Sequence, residues 1–207
     1  AHLRNVKIYV TVNTLFYDDE FEELMTYIDF LYTIQVDAIL VQDLGLMHLI
    51  HERYPDFAIH ASTQASIHSL AGVKALEKQG VKRVVLAREN TLEEIRLICE
   101  NTNLEIEAFV HGALCMCYSG QCLMSSMIGK RSGNRGKCAQ PCRLRYKLHS
   151  DKERLNTYPS YLLSAKDICT IDHIGEFIEA GVTSFKIEGR MKKPEYVSAV
   201  VKAYRKA

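Results

Sequence analysis

Short apolar runs alternate with amphipathic segments along most of the chain. Six runs rich in β-branched residues predict strands at residues 6–12, 38–42, 58–61, 83–86, 105–110 and 184–187. They do not show the long polar/apolar alternation of half-exposed strands, and are typical of parallel strands buried on both faces. Between them, apolar residues recur at helical spacing in residues 18–34, 44–54, 66–79, 91–100 and 171–180. This order predicts an α/β fold.

The spacing of strands and helices along the chain restricts the possible folds further. The two recur about every 20 to 27 residues, which favours right-handed crossovers between parallel strands. A TIM-like (β/α)8 barrel needs eight strands and about 250 residues. Six strands in 207 residues would therefore be a barrel fragment that lacks its first two βα units, truncated at both ends. An open doubly wound sheet is the alternative, and spacing alone does not separate the two.

One segment interrupts the rhythm. Residues 111–163 are rich in Gly, Ser, Cys, Arg and Lys and would form a very long connection. Loops of that length without regular structure are usually functional. This one follows the predicted strand 105–110, and α/β folds build their sites at the carboxyl ends of strands. We therefore place the candidate site in this loop.

The cysteines are concentrated in the same segment. Five of the seven fall within 28 residues, namely Cys115, Cys117, Cys122, Cys138 and Cys142. Their odd total and the lack of an export signal argue against a disulfide framework. Two close pairs, as in zinc fingers, are missing, whereas separated cysteines on a long loop suit an iron–sulfur cluster. Buried free thiols are the alternative, and we expect that state for Cys99, which lies in a helix pattern.

A basic run overlaps the cysteines. Residues 130–147 contain seven Lys or Arg and no acid, and Tyr146 is available for stacking. The run is either a solvated face or, beside a cluster, a contact to RNA backbone. The candidate RNA-binding residues are Arg131, Arg135, Lys137, Arg143 and Arg145. A small anionic substrate would also need an arginine, because guanidinium binds carboxylates bidentately.

Polar residues follow two predicted strands at the end where barrel sites lie. His60 and Gln64 stand at the end of strand 58–61, and Glu188 and Arg190 follow strand 184–187. We take these four as candidate catalytic residues. The structural alternatives are polar groups satisfied by hydrogen bonds for the first two, and an ion pair that closes the barrel for the last two.

The segment EAFVHGALCMCYSGQCLMSS, residues 107–126, resembles the defining motif of the U32 family of collagenase-like peptidases. The matching positions are Glu107, Phe109, Gly112, Ala113, Leu114, Cys115, Gly120, Cys122, Met124 and Ser125. The resemblance continues through four other segments: IHASTQASIHS, NRGKCAQPCRLRY, LLSAKDIC and FKIEGRMKKPEYVSAVVKAYRKA.

The resemblance implies a TIM-like catalytic barrel, of which residues 1–207 would be a part, with a [4Fe–4S] cluster. By motif position the ligands are Cys115, Cys122, Cys138 and Cys169, with Cys142 as the substitute for Cys138. It also implies oxygen-independent hydroxylation of the wobble uridine of tRNA to 5-hydroxyuridine, with prephenate as the proposed hydroxyl source. A branch in ubiquinone synthesis is an alternative, and a paralogous U32 subunit is a possible partner.

Two other functions remain open. The family name suggests a peptidase, for which Cys115 with His111 would be the nucleophile and base. An RNA-binding domain with zinc on Cys138 and Cys142 is the non-enzymatic alternative. The net charge of +1 requires any basic surface to be local. With no apolar run of membrane-span length and no signal peptide pattern, we expect a cytoplasmic protein.

Overall fold

The computed structural model describes residues 1–151, 153, 155 and 158–207 of the chain. These residues form one seven-stranded sheet. Its strands are β1 (Tyr9–Val12), β2 (Ala38–Val41), β3 (Ile59–Ala61), β4 (Arg83–Val85), β5 (Glu105–Gly112), β6 (Ile168–Cys169) and β7 (Ser184–Ile187). The six predicted strands are confirmed, although β1 begins three residues later than predicted and β5 ends two residues later. The two-residue β6 is too short to leave a pattern in the sequence.

Seven α-helices accompany the strands in the described residues. They are α1 (Phe21–Thr33), α2 (Leu44–Arg53), α3 (Leu70–Glu77), α4 (Leu92–Glu100), α5 (Met124–Gly129), α6 (Ile174–Glu179) and α7 (Pro194–Tyr204). The prediction that a helix begins at residue 66 is wrong, because Ser66 has a left-handed φ of 57°. The helix begins after Ser69, whose hydroxyl accepts the Gly72 N–H. No described helix is long and apolar enough to cross a membrane.

The strand order distinguishes between the two folds that the sequence leaves open. Six strands are parallel and adjacent in chain order, β1-β2-β3-β4-β5-β7. A doubly wound sheet reverses its order at a switch point, and these six strands do not. β6 runs antiparallel to the end of β5, with Cys169 opposite His111. Within the described residues β1 and β7 do not pair with each other, so the sheet is part of a barrel and not a closed one.

The helices α1–α4 cover one face of this sheet. On that face Ile39, Val41, Ile59, Val84 and Ile106 pack against helix residues that include Ile28, Met47, Ile50, Val73 and Ile98. Each fully buried side chain of this kind contributes roughly 1.5–3 kcal/mol. The opposite face has a separate small apolar cluster, Tyr9, Leu40, Val85 and Phe109, that contains no helix residue. Helices on one face only are typical of a barrel wall.

The helix-free face also carries an ionic network. Glu107, on β5, is 7% exposed and accepts hydrogen bonds from Lys186 Nζ at 2.9 Å and Ser184 Oγ at 2.8 Å. Arg83, on β4, donates to the same carboxylate at 3.2 Å and to Glu105. Burial alone would raise the pKa of Glu107, but Lys186, Ser184 and Arg83 together hold it below its ordinary value. The network joins β4, β5 and β7 through paired charges.

The predicted loop at residues 111–163 is not without regular structure, which corrects that expectation. It contains α5, the 3-10 turns Gly133–Arg135 and Pro141–Arg143, and a bridge between Tyr146 and Ser160. Positions 152, 154, 156 and 157 of this loop lie outside the described residues.

Candidate functional site

The loop of residues 111–163, called the cysteine loop below, is anchored to the carboxyl end of β4. Ser119, which is 1% exposed, accepts the Arg88 N–H at its Oγ, 3.1 Å away. The Glu89 carboxylate accepts the N–H of Ser119 at 3.0 Å and its hydroxyl at 3.3 Å. The Ser66 hydroxyl, just beyond β3, donates to the Ser119 carbonyl at 2.6 Å. One buried serine therefore joins the loop to the ends of two strands.

Gly120 makes this contact possible. Its φ is +75°, a left-handed conformation that favours glycine. A Cβ at this position would overlap the Gln64 carbonyl oxygen and lie 2.6 Å from Ser66 Oγ. Gln121 continues the contact with a hydrogen bond of 2.8 Å from its side-chain amide to Ser66 Oγ. The predicted catalytic residue Gln64 therefore lies directly against the cysteine loop.

The second half of the loop folds back around Cys138. The Gln140 N–H donates to Cys138 Sγ at 3.3 Å, and the Ala139 N–H donates to the Ser125 hydroxyl at 2.9 Å. Ser125 is 3% exposed and belongs to α5. N–H groups that point at a cysteine sulfur are one of the means by which proteins tune iron–sulfur clusters.

Four thiols of the loop lie close enough to influence one another. Burial raises the pKa of Cys115, Arg88 acts in the opposite direction, and the thiols of Cys142, Cys122 and Cys138 raise it further. The residue as a whole is exposed, so its thiol is accessible from one side. A bound cation would stabilise Cys115 as a thiolate, because a thiol that coordinates a metal is deprotonated.

Cys169 reaches the same end of the sheet by a different path. It lies on β6, opposite His111 of β5, and is exposed. Among the described residues no three His, Cys, Asp or Glu side chains are arranged to hold a metal ion. The ligand set of Cys115, Cys122, Cys138 and Cys169 therefore stays a prediction, as does the choice between Cys138 and Cys142. Cys99, in contrast, packs against the core, as predicted.

Two of the five predicted RNA-binding residues, Arg135 and Arg143, are half-buried and donate hydrogen bonds to distant parts of the chain. Arg135 donates to Glu20 and to the Leu15 carbonyl. Arg143 donates to the carbonyls of Leu114, at 2.6 Å, and Ala165, at 2.8 Å. Both are half-buried and connect the loop to other parts of the chain.

The other three residues of that set are exposed. Arg131 donates through Nε to the Lys137 carbonyl at 3.0 Å. The Arg145 guanidinium lies 5.2 Å from the centre of the Tyr161 ring. Arg145 lies two residues beyond the 3-10 turn that ends at Arg143.

His60 lies deeper than the strand end where the sequence places it. It is 4% exposed on the helix-free face, and its ring meets that of Tyr9 edge-on with centroids 4.8 Å apart. Burial, followed by the positive charge of Arg83, lowers its pKa to about 4. His60 is therefore neutral at neutral pH, next to the ionic network.

Glu188 and Arg190 follow β7, but their side chains do not pair with each other among the described ion pairs. Glu188 instead accepts the backbone N–H of Arg190 at 3.2 Å. The Glu188 backbone packs against Gly112, which has a φ of +108°, and a Cβ on that glycine would be 2.5 Å from the Glu188 carbonyl oxygen. The structural alternative of an ion pair between them therefore has no support in the described residues, and their catalytic role stays a prediction, with Glu188 held beside the start of the cysteine loop.

His111 lies between two tyrosines of α7. Its Nε2 is 3.0 Å from Tyr196 Oη, and its Nδ1 is 3.4 Å from Tyr204 Oη. Tyr204 also donates to the Val110 carbonyl at 2.7 Å. Both ring nitrogens thus face hydroxyl groups, and the Cys115–His111 pair that a thiol peptidase would need does not form.

Sequence reasoning missed two residues at this site, Ser119 and Arg88. Arg88 and Cys115 line one cleft of about 350 Å³, together with Glu89, Leu114, Met116, Cys117 and Tyr118. The Arg88 guanidinium lies 4.1 Å from the centre of the Phe109 ring. The position of Arg88 just after a buried strand was the available signal, whereas a serine within a Gly/Ser-rich loop gives none.

The structure is that of an α/β domain with a cysteine-bearing loop across the carboxyl ends of its strands. The family model described as "Peptidase family U32" matches residues 1–207. The chain belongs to this family.

Proteins of different stated activities are similar to this chain. It is 46% identical over 205 residues to "23S rRNA 5-hydroxycytidine C2501 synthase" of Escherichia coli (strain K12), covering 99% of this chain and 31% of that protein. It is 39% identical to "tRNA hydroxylation protein P1" of Bacillus subtilis (strain 168), covering 97% of this chain and 49% of that protein. It is 37% identical to "Collagenase" of Porphyromonas gingivalis (strain ATCC BAA-308 / W83), covering 99% and 52%. The chain thus spans between about a third and about half of these relatives.

Proposed function

We propose that this domain belongs to an enzyme that hydroxylates a pyrimidine base in RNA with the help of a [4Fe–4S] cluster. The observation that carries the proposal is the loop that bears Cys115, Cys122, Cys138 and Cys142 and is anchored at the carboxyl ends of β3 and β4. Relatives at 46% and 39% identity bear the names of rRNA and tRNA hydroxylation proteins. The reaction would replace C5–H of the base with C5–OH. This is a two-electron oxidation of the base, so the hydroxyl donor would also have to accept two electrons, and the cluster would supply electron transfer between them.

The chain offers donors that fit such a cluster. Four thiolates are the usual ligands of a [4Fe–4S] cluster, and we propose Cys115, Cys122, Cys138 and Cys169. Cys142 competes with Cys138 because both influence the Cys115 thiol. Gln140 would keep its N–H on the Cys138 sulfur, and Ser119 and Gly120 would hold the loop over the strand ends.

Other residues of the site would act on substrates. Gln64 and Glu188 lie on segments that the cysteine loop and its first glycine contact directly. This proximity supports the proposal that they would orient a base near the cluster. Arg131, Lys137 and Arg145 are exposed and suited to RNA phosphates. Prephenate is the expected hydroxyl donor, and a paralogous U32 subunit is an expected partner in the cytoplasm.

The RNA class has two candidates. The motifs of the sequence favour the wobble uridine of tRNA, where the product would be 5-hydroxyuridine. The 46% identical relative carries the name of an rRNA cytidine synthase, which favours a cytidine in 23S rRNA. Both reactions place a hydroxyl group on C5 of a pyrimidine, so one site architecture would serve either.

Peptidase activity is less well supported by the geometry. A thiol peptidase needs a histidine beside its nucleophilic cysteine, and both nitrogens of His111 face Tyr196 and Tyr204. The similarity to a protein named "Collagenase" supports this alternative by name. The ubiquinone branch has no support among the relatives named above.

Nucleoside analysis tests the proposal. Total tRNA and 23S rRNA from a strain lacking the gene would be digested and measured by mass spectrometry, with wild-type and Cys115→Ala complementation. We expect loss of 5-hydroxyuridine from tRNA, or of 5-hydroxycytidine from rRNA, with recovery by the wild-type gene and not by Cys115→Ala. Unchanged levels of both nucleosides in the deletion strain would refute RNA hydroxylation.

A further inference from the structure

The half-buried arginines of the described residues differ in what their guanidinium groups contact. Arg83, Arg135 and Arg143 donate to carboxylates or carbonyls. The Arg88 side chain donates no hydrogen bond and forms no ion pair within the described residues, and its Nε is buried without a partner. A charged donor that is partly removed from water without an acceptor is costly. Its persistence at this point of the fold calls for a ligand.

The Arg88 guanidinium lies against an aromatic ring and has no hydrogen-bond acceptor among the described residues. Phe109 lies beneath the group at 4.1 Å, a cation–π contact. The backbone N–H of Arg88 is fixed by Ser119, which leaves the side chain no part in anchoring the loop. The group lines the cleft of about 350 Å³ that also contains Cys115. That volume lies at the lower end of the about 300–1,000 Å³ that small-molecule sites occupy.

We propose that Arg88 binds a carboxylate group of a small-molecule substrate in the cleft beside Cys115. A planar guanidinium donates two parallel hydrogen bonds to a carboxylate, and a group held flat on Phe109 is preorganised to do so. A small molecule fits better than an RNA phosphate because the donor is recessed in a cleft, whereas Lys137 and Arg145 are exposed cations on the surface. The inference rests on the proposed function in assigning the co-substrate of the same site.

Direct binding to the full-length protein tests this assignment. Prephenate, phenylpyruvate and inorganic phosphate would be titrated by calorimetry into wild-type, Arg88→Lys and Arg88→Gln proteins. Arg96→Gln serves as a matched control, since it removes an exposed arginine of α4. Arg88→Lys keeps the charge but loses the two-pronged geometry, so it separates carboxylate binding from a general electrostatic or packing effect. Circular dichroism would establish that each variant is folded.

The expected result is saturable binding of at least one carboxylate to wild-type protein. Arg88→Gln and Arg88→Lys should weaken that binding about tenfold to a hundredfold, and Arg96→Gln should leave it unchanged. Two results would overturn the assignment: no carboxylate binds wild-type protein, or Arg88→Gln weakens RNA affinity and leaves carboxylate affinity intact. This binding experiment does not require RNA turnover, so the two proposals can fail separately. If carboxylate affinity depends on Arg88 but the protein hydroxylates no RNA, only the proposed function is refuted.

Discussion

Charged and reactive groups have different surroundings in two regions of the sheet. One region is the helix-free face, and the other is the rim, formed by the carboxyl ends of the strands with Arg88 and the cysteine loop. On the face, Glu107, Arg83 and Lys186 satisfy one another between adjacent strands. At the rim, Arg88 has no acceptor among the described residues, and burial, followed by the neighbouring thiols of the loop, raises the pKa of Cys115. The paired groups satisfy one another within the sheet, and the group without an acceptor is the one available to a ligand.

Breaking the paired region should give the largest change in stability. Glu107→Gln removes the charge that compensates Arg83 and Lys186, both partly buried. Removing one partner of a buried ion pair costs about 3–5 kcal/mol, and we expect a loss of that size in urea unfolding. The control is Glu105→Gln, which removes the exposed carboxylate that Arg83 also contacts and should cost at most about 1 kcal/mol. Equal losses for the two variants would contradict the ionic network as the source of stability.

A substitution at Gly120, where the cysteine loop meets the strand ends, should reduce the free energy of unfolding by a smaller amount. Gly120→Ala places a Cβ against the Gln64 carbonyl and in a left-handed conformation, for which we expect a loss of about 1–3 kcal/mol. The loop should also separate from the strand ends, which limited proteolysis of the folded protein would detect as faster cleavage between residues 111 and 123. Gly129→Ala is the control, since a Cβ there has no atom within 4 Å. Wild-type cleavage rates in Gly120→Ala would disprove the anchoring role.

The burial of His60 on the helix-free face should make stability depend on pH. Its pKa is about 4 in the folded protein, below the model-peptide value of 6.5, so the unfolded chain binds a proton more readily. Stability should therefore be complete above about pH 6.5 and fall as the pH decreases towards 4. The difference between wild-type and His60→Asn unfolding free energies, measured from pH 4 to 8, isolates this contribution. A difference that does not vary with pH would show that His60 is not buried as a neutral group.

The smallest effect is expected for exposed cations of the rim. Lys137→Gln should reduce RNA affinity only a few-fold and lower the salt dependence of binding by about one counterion. Arg135→Gln is the informative comparison, because that arginine is paired with Glu20. It should lower stability and leave the salt dependence nearly unchanged. Filter binding at several salt concentrations would measure both, and a larger change in salt dependence for Arg135→Gln would reverse the assignment.

The sequence predicted the parts of the molecule that depend on periodicity. An uninterrupted apolar run marks β2, which is fully buried, and helical spacing marks α1 and α2. The sequence did not predict which charges pair, because Glu107 and Lys186 meet only when β5 and β7 become neighbours. Nor did it predict that Arg143 contacts backbone carbonyls, since a basic run reads the same whether its side chains point outward or inward.

The cysteines include features that the sequence predicts and features that it does not. Their clustering in one loop is visible in the sequence, as is the core position of Cys99. The choice among Cys138, Cys142 and Cys169 depends on how the loop folds over the strand ends. That folding depends on Ser119 and Gly120, whose partners are 30 to 50 or more positions away along the chain.

Iron and acid-labile sulfide per chain, measured on full-length protein purified without oxygen, test the central claim most directly. We predict about four of each, lost in Cys115→Ala and retained in Cys99→Ala, whose thiol packs against the core. Parallel Cys142→Ala and Cys169→Ala proteins would identify the remaining ligands. Zinc or no metal in the wild-type protein, or full iron content in Cys115→Ala, would contradict the claim that the rim thiols hold an iron–sulfur cluster.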